Sequence, residues 1–117
     1  MIQAKRNECM NLVRVSNRKI NEIRSSDGES PEHIAKKKEI CAALKEAGKH
    51  YVTEAIFKTG GRADILVLDD FEVIEIVNTE NEESLIRKSE LYPKGLKIRV
   101  IKLKNKKGGQ HGKRFRL

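Results

Sequence analysis

The sequence predicts an α/β domain, with the element order helix, three strands, helix, strand, behind an extra N-terminal helix. Three observations carry this. Tyr51 to Val77 contains three short runs of apolar and β-branched residues, broken by Lys58-Thr59-Gly60-Gly61-Arg62 and by Asp69-Asp70, which is the composition of strands joined by tight turns. Helix-start signals stand on either side of these runs, Ser30-Pro31 before them and Thr79-Glu80-Asn81-Glu82 after them. Leu96 to Leu103 then alternates as a strand does, and because it follows a helix it must join by a crossover, which makes the sheet mixed.

The chain has 117 residues, enough for one domain with one core. It divides into an N-terminal helical extension and linker (1–29), a core (30–103) and a basic tail (104–117). Met1 to Arg24 reads as a helix whose stripe Cys9, Val13, Ser16, Ile20 and Ile23 recurs at steps of three and four, with a weak point at Ser16-Asn17. That stripe packs either on the domain or on a second copy. The helix from Ser30 presents Ile34, Cys41 and Leu44, widened by Ile40, Ala43 and Ala47, and ends at Gly48. The later helix runs to about Tyr92, before Pro93 and Gly95, and puts Leu85, Lys88 and Tyr92 on one face.

A formal charge of +8 and a pI near 9.6 point to a polyanionic partner, most simply nucleic acid; the alternative is a solvated basic surface. Aromatic residues make up only 4% and Trp is absent, which disfavours a sheet that stacks bases. Cys9 and Cys41 have neither zinc spacing nor a disulfide framework, which fits a reducing, cytoplasmic setting. Charges at Lys5, Arg6 and Glu8 argue against a signal peptide, and no apolar run approaches a membrane span.

The middle of the chain poses a problem in electrostatics. The second and third strands are apolar on both faces, yet each carries one carboxylate, Asp64 and Glu75. Buried carboxylates need a partner. If the turn is centred on Asp69-Asp70, Leu68 faces Phe71, and antiparallel pairing sets Asp64 opposite Glu75, with Cβ atoms about 4.5–5.5 Å apart. Like charges that close raise a carboxyl pKa. Two solutions stand: a shared divalent ion such as Mg²⁺, or neutralisation by Lys or Arg from elsewhere. Glu54 on the first strand belongs to the same site if its side chain turns that way, which alternation leaves open. Glu32 either serves its own helix dipole or reaches the acid pair. His33, His50 and His111 are scattered and suggest no histidine-based set; His33 reads as a partly exposed helix position, and Asn78 as help for the next helix cap.

The order of elements and acids resembles the core of the PD-(D/E)XK nuclease superfamily, which includes restriction endonucleases, archaeal Holliday junction resolvases and RecB-type nucleases. The likeness covers Glu32 to Leu103, with Glu32 matching the family's helix acid, Asp64 its second-strand Asp and Glu75 the Glu of its Glu-x-Lys. Val77 stands where that lysine is expected. Lys88 is the candidate replacement, and Lys88 with Tyr92 is similar to the Gln and Tyr that RecB-type members place four residues apart.

The resemblance implies a restriction-endonuclease-like fold and hydrolysis of DNA phosphodiesters, at junctions or branches, by a homodimer. Asp64, Glu75 and Glu32 would hold Mg²⁺ (or Mn²⁺), and Lys88 would orient the nucleophile. Lys36, Lys37, Lys38, Arg62, Lys113 and Arg114 would bind flanking phosphates without reading sequence. The competing expectations are an inactive DNA-binding protein on the same fold and a small basic RNA-associated protein with no metal.

Overall fold

Four strands form one sheet in the order β1-β2-β3-β4, namely β1 Tyr51–Ile56, β2 Arg62–Val67, β3 Glu72–Val77 and β4 Lys97–Lys102. β1, β2 and β3 run antiparallel in turn, and β4 lies parallel to β3, so the sheet is mixed as its connections require. With helices α1 Ile2–Met10, α2 Pro31–Glu46 and α3 Glu82–Ser89, the architecture is mixed α/β. The computed structural model describes residues 2–77 and 82–103. The expected roles of Asn78, Thr79, Lys113 and Arg114 fall outside the described residues. Among those described, no helix is long and apolar enough to cross a membrane.

α2 begins and ends where its sequence says. The Ser30 hydroxyl accepts the His33 N–H at 3.1 Å, and Pro31 takes the first helical position, where a missing N–H costs nothing. At the other end Gly48 adopts φ +75°, while the Gly48 and Lys49 N–H groups return to the Lys45 and Leu44 carbonyls at 3.0 and 2.9 Å. That pattern closes the helix and needs the left-handed residue that glycine supplies. Ile40, Cys41 and Leu44 then pack on Tyr51, Ile65, Val67, Ile74 and Ile76. Val52, Leu66, Leu68 and Val73 pack instead with Cys9, Val13, Phe57 and Tyr92. Both faces of the sheet are therefore covered, which explains why β2 and β3 read as nearly unbroken apolar runs.

The first 24 residues correct an expectation. The helix stops at Met10, followed by one 3₁₀ turn at Val15–Asn17 and by turns and irregular chain. Cys9 and Val13 are buried, but Ile20 and Ile23 are exposed, so the helical stripe ends with the helix. The reason lies in the sheet. β1 is an edge strand with backbone groups to satisfy. This segment satisfies them: Arg14 N–H donates to Ile56 O at 2.9 Å, Asn21 N–H to Tyr51 O at 2.7 Å, and the Asn17 and Asn21 side-chain oxygens accept from Ile56 and Tyr51 N–H. α1 is tied to the β2–β3 turn by the Arg6 guanidinium, whose Nε and Nη2 each donate to Asp69 at 2.9 Å.

Candidate functional site

The register places three acids on one rung of the sheet. Thr53 pairs with Ile65 and Ala55 with Ala63, so Glu54 lies opposite Asp64. Ile65 pairs with Ile74, and one step further Asp64 lies opposite Glu75, as the Asp69-Asp70 turn requires. The β2–β3 pairing has ended by that step. There the Asp64 carboxylate substitutes for a backbone acceptor and takes the Ile76 N–H at 2.8 Å. Glu54 departs from strand geometry with φ +51° in the middle of β1. A glutamate in the left-handed region carries strain of about 1–3 kcal/mol unless its surroundings hold it there.

Two clamps hold these acids. The first comes from α2 and the loop before it. His33 and Lys37, four residues apart, share a face of α2, and Glu29, four residues before His33 in the preceding loop, meets both. Lys37 is fully buried, and its ammonium donates to Arg24 O at 2.7 Å, Glu29 Oε2 at 2.8 Å and Glu54 Oε2 at 2.9 Å. Glu29 also meets His33 Nδ1 and accepts the Ser26 N–H. His33 Nε2 lies 3.1 Å from Ile76 O and 3.4 Å from Asp64 Oδ2. The second clamp comes from α3 and the turn after it. Lys88 Nζ lies 2.8 Å from Glu75 Oε1, and the Tyr92 hydroxyl donates to Glu75 Oε2 at 2.5 Å. Tyr92 is seated by a T-shaped contact with Phe57 at 5.4 Å and by Gly61, where an added Cβ would lie 2.8 Å from the Tyr92 ring. Glycine at 61 is thus a condition for the tyrosine's approach.

The carboxyl groups respond in opposite directions. Burial pushes Asp64 up, but hydrogen bonds from His33 and the Ile76 N–H outweigh it and the net shift is down. Burial and the Asp64 charge push Glu75 up, and Lys88 and Tyr92 only partly offset them. The hydrogen bond to Asp64 raises His33 against the effect of burial. For Lys37 the desolvation that would lower its pKa is outweighed by Glu29 and Glu54, and it stays charged.

A cleft of about 330 Å³ opens onto this rung between the Ser26–Ser30 loop and Arg62, lined also by His33, Glu54 and Asp64. Asp64, Glu75, Lys88 and Tyr92 are brought together as the sequence suggests, and Glu54, which alternation left open, lines the cleft with Asp64. Glu32 is not: it is exposed, because the helical step that turns His33 inward turns its neighbour out. Lys37 is corrected as well, from phosphate contact to buried clamp. Lys36 is half-buried and 3.1 Å from Glu39, Lys38 is exposed, and Arg62 is exposed at the mouth with Nε 3.5 Å from Glu54 Oε1. Val77, at the expected lysine position, pairs with Lys102 in β4.

No family model, curated protein or solved structure matches this chain. The site therefore has to be read from its own chemistry. Sequence reasoning left Glu29 in the linker and read His33 as a partly exposed helix position; both stand at the site. The signal was the four-residue spacing Glu29, His33, Lys37. Among the described residues no group of three or more His, Cys, Asp or Glu side chains is spaced to hold a metal ion. Each central carboxylate has a basic neighbour, His33 for Asp64 and Lys88 for Glu75. What is concentrated here is charge of both signs around a break in the sheet, with one carboxyl held ionised and the other pushed toward its proton.

Proposed function

We propose that this chain is a divalent-cation-dependent DNA nuclease built on a restriction-endonuclease-like core. One observation carries the proposal: Asp64 and Glu75 occupy opposed positions where β2–β3 pairing stops, Asp64 lining a cleft and Glu75 2.8 Å from Lys88. A fold that needed only stability would gain nothing from two opposed carboxylates on a buried rung. Strained and charge-frustrated positions of this kind cluster at functional sites.

The donors suit a hard divalent ion, which takes one or two carboxylates and keeps its remaining positions for water and phosphate oxygens. Asp64 and Glu75 would hold it, with the Ile76 carbonyl adjacent. When bound, such an ion polarises a phosphoryl oxygen and lowers the pKa of coordinated water. The remaining work belongs to the chain. Lys88, 42% exposed on a flexible stem, can leave Glu75 to meet charge building on the phosphoryl oxygens. Tyr92 keeps Glu75 in place while Lys88 moves. Arg62 lines the cleft for phosphate contact, which predicts binding that weakens steeply with salt. Pairing of two chains about a two-fold axis is the expected way to cut both strands of a duplex or junction.

The test is nicking of supercoiled and branched DNA in Mg²⁺ or Mn²⁺. Asp64→Asn and Glu75→Gln should each lower the rate by about 10²-fold or more, with circular dichroism unchanged. Two observations favour a second reading, a DNA-binding protein with no hydrolytic activity: each central carboxylate has a basic neighbour, and Val77 stands where the lysine is expected. Salt-sensitive DNA binding without cleavage in either ion would select it, and preference for RNA would sink both.

A further inference from the structure

The cleft is electrically lopsided. Its loop wall, Ser26–Ser30, carries Asp27 and Glu29, whereas its strand wall ends in Arg62. A polyanion is repelled on the first side and drawn in on the second. The register shows what continues the second side. Val13 bridges Phe57, the Arg14 N–H donates to Ile56 O at 2.9 Å, and Ile56 pairs with Arg62. Arg14, Ile56 and Arg62 thus form one rung, two residues along β2 from Asp64. Val13, Phe57 and Ala63 belong to one core cluster, under one face of the sheet. Arg14 has extended backbone, so alternation turns it and Arg62 to the other face, where Asp64 meets His33. Two strand spacings, about 10 Å, separate the two arginines. Lys58 stands at the same end of the sheet, its N–H donating to Leu12 O at 2.9 Å. Arg14, Lys58 and Arg62 are all exposed, and among the described residues neither Arg14 nor Lys58 has an acidic partner. Around Arg14 the chain from Cys9 to Asn21 holds three cations and no acid.

We propose that the segment between α1 and α2 carries a second nucleic-acid contact surface, in which Arg14, joined by Lys58 of the β1–β2 hairpin, extends the Arg62 wall and takes the phosphate backbone of duplex DNA beyond the cleft. The segment that closes the edge of β1 thus also widens the DNA footprint. The partner is a duplex because the surface offers cations and no aromatic platform on which single-strand bases would stack. The proposal rests on the nucleic-acid part of the reading above and not on hydrolysis. It also lies outside the nuclease likeness, which begins at Glu32.

The experiment measures binding of the full chain to a labelled DNA duplex, in chelator, across a salt series. Each phosphate contact contributes about 0.9 to the slope of log K against log salt. Arg14→Gln and Lys58→Gln should each flatten that slope by about 1, and the double variant by about 2, equally on two unrelated sequences. Lys45→Gln removes the same charge at the far end of α2 and should leave the slope unchanged. Circular dichroism checks that each variant is folded. An unchanged slope in Arg14→Gln would overturn the proposal and leave these cations as guards of a sheet edge. Equal flattening by Lys45→Gln would overturn it too, because net charge alone would then explain the effect. Flattening seen only with an RNA duplex would overturn the choice of partner. Flattened slopes in a chain that cuts no DNA in Mg²⁺ or Mn²⁺ would support this surface and sink the nuclease reading, whereas cleavage with unflattened slopes would do the reverse. Wild type that binds no duplex would overturn both.

Discussion

The two clamps on the acid rung use the same cation differently. On the α2 side, Lys37 is fully buried and spends its three N–H donors on Arg24 O, Glu29 and Glu54. On the α3 side, Lys88 is 42% exposed and meets Glu75. A lysine with every donor engaged by fixed oxygens is part of the frame. A half-exposed one on a four-carbon stem can exchange one anion for another. Lys37 ties the carboxylate of Glu54 to the loop bearing Glu29, whereas half-exposed Lys88 can exchange Glu75 for another anion.

The comparison breaks first on stability. Lys37→Met keeps the stem but leaves the carboxylates of Glu29 and Glu54 facing each other without their cation. Removing one partner of a buried ion pair costs about 3–5 kcal/mol, so urea unfolding should shift by about that much. A loss below about 1 kcal/mol, the size expected of an exposed pair, would mean that Lys37 is no more structural than Lys88.

Lys88→Met should show the reverse profile. Its pair is half exposed, so unfolding should shift by less than about 1 kcal/mol. DNA cleavage should fall about 10²-fold or more if the ammonium stabilises charge in the reaction. Undiminished cleavage would reduce Lys88 to a neutraliser of Glu75 and make the two lysines alike after all.

Much of this was legible in the sequence, for physical reasons. The Asp69-Asp70 turn fixes the β2–β3 register, and a two-residue period then leaves no freedom about what faces Asp64. Ser30, Pro31 and Gly48 bound α2 because capping is local chemistry. The failures are cases where tertiary structure outweighs local preference. Residues 11–24 have helical spacing, but the unpaired edge of β1 offers their backbone and asparagine side chains better partners. Lys36, Lys37 and Lys38 read as one phosphate-binding run, yet a 100° step per residue sends only the middle one fully inward. Glu32 and His33 were exchanged for the same reason. That Glu54 takes a left-handed backbone has no local signal, and its side chain is met by Lys37, 17 residues away.

The smallest expected effect tests where the clamps meet, at Asp64. His33 has its pKa raised above the ordinary 6.5 by the hydrogen bond to Asp64, so the imidazolium's contribution to stability is complete below that value and is lost as pH rises through the folded-state pKa. Asp64, with a pKa below its ordinary 3.8, contributes above that value and loses its contribution as pH falls through the folded-state pKa. The pair is therefore at full strength between about 4 and 6.5, a window that follows from these two shifts. In chelator, wild type should exceed His33→Gln by no more than about 1 kcal/mol inside that window, as expected for a partly exposed pair. The difference should shrink once the imidazole deprotonates at higher pH. A difference that grew with pH instead would mean that His33 sits neutral against Asp64, and the α2 clamp would then end at Glu29 rather than reach the acid rung.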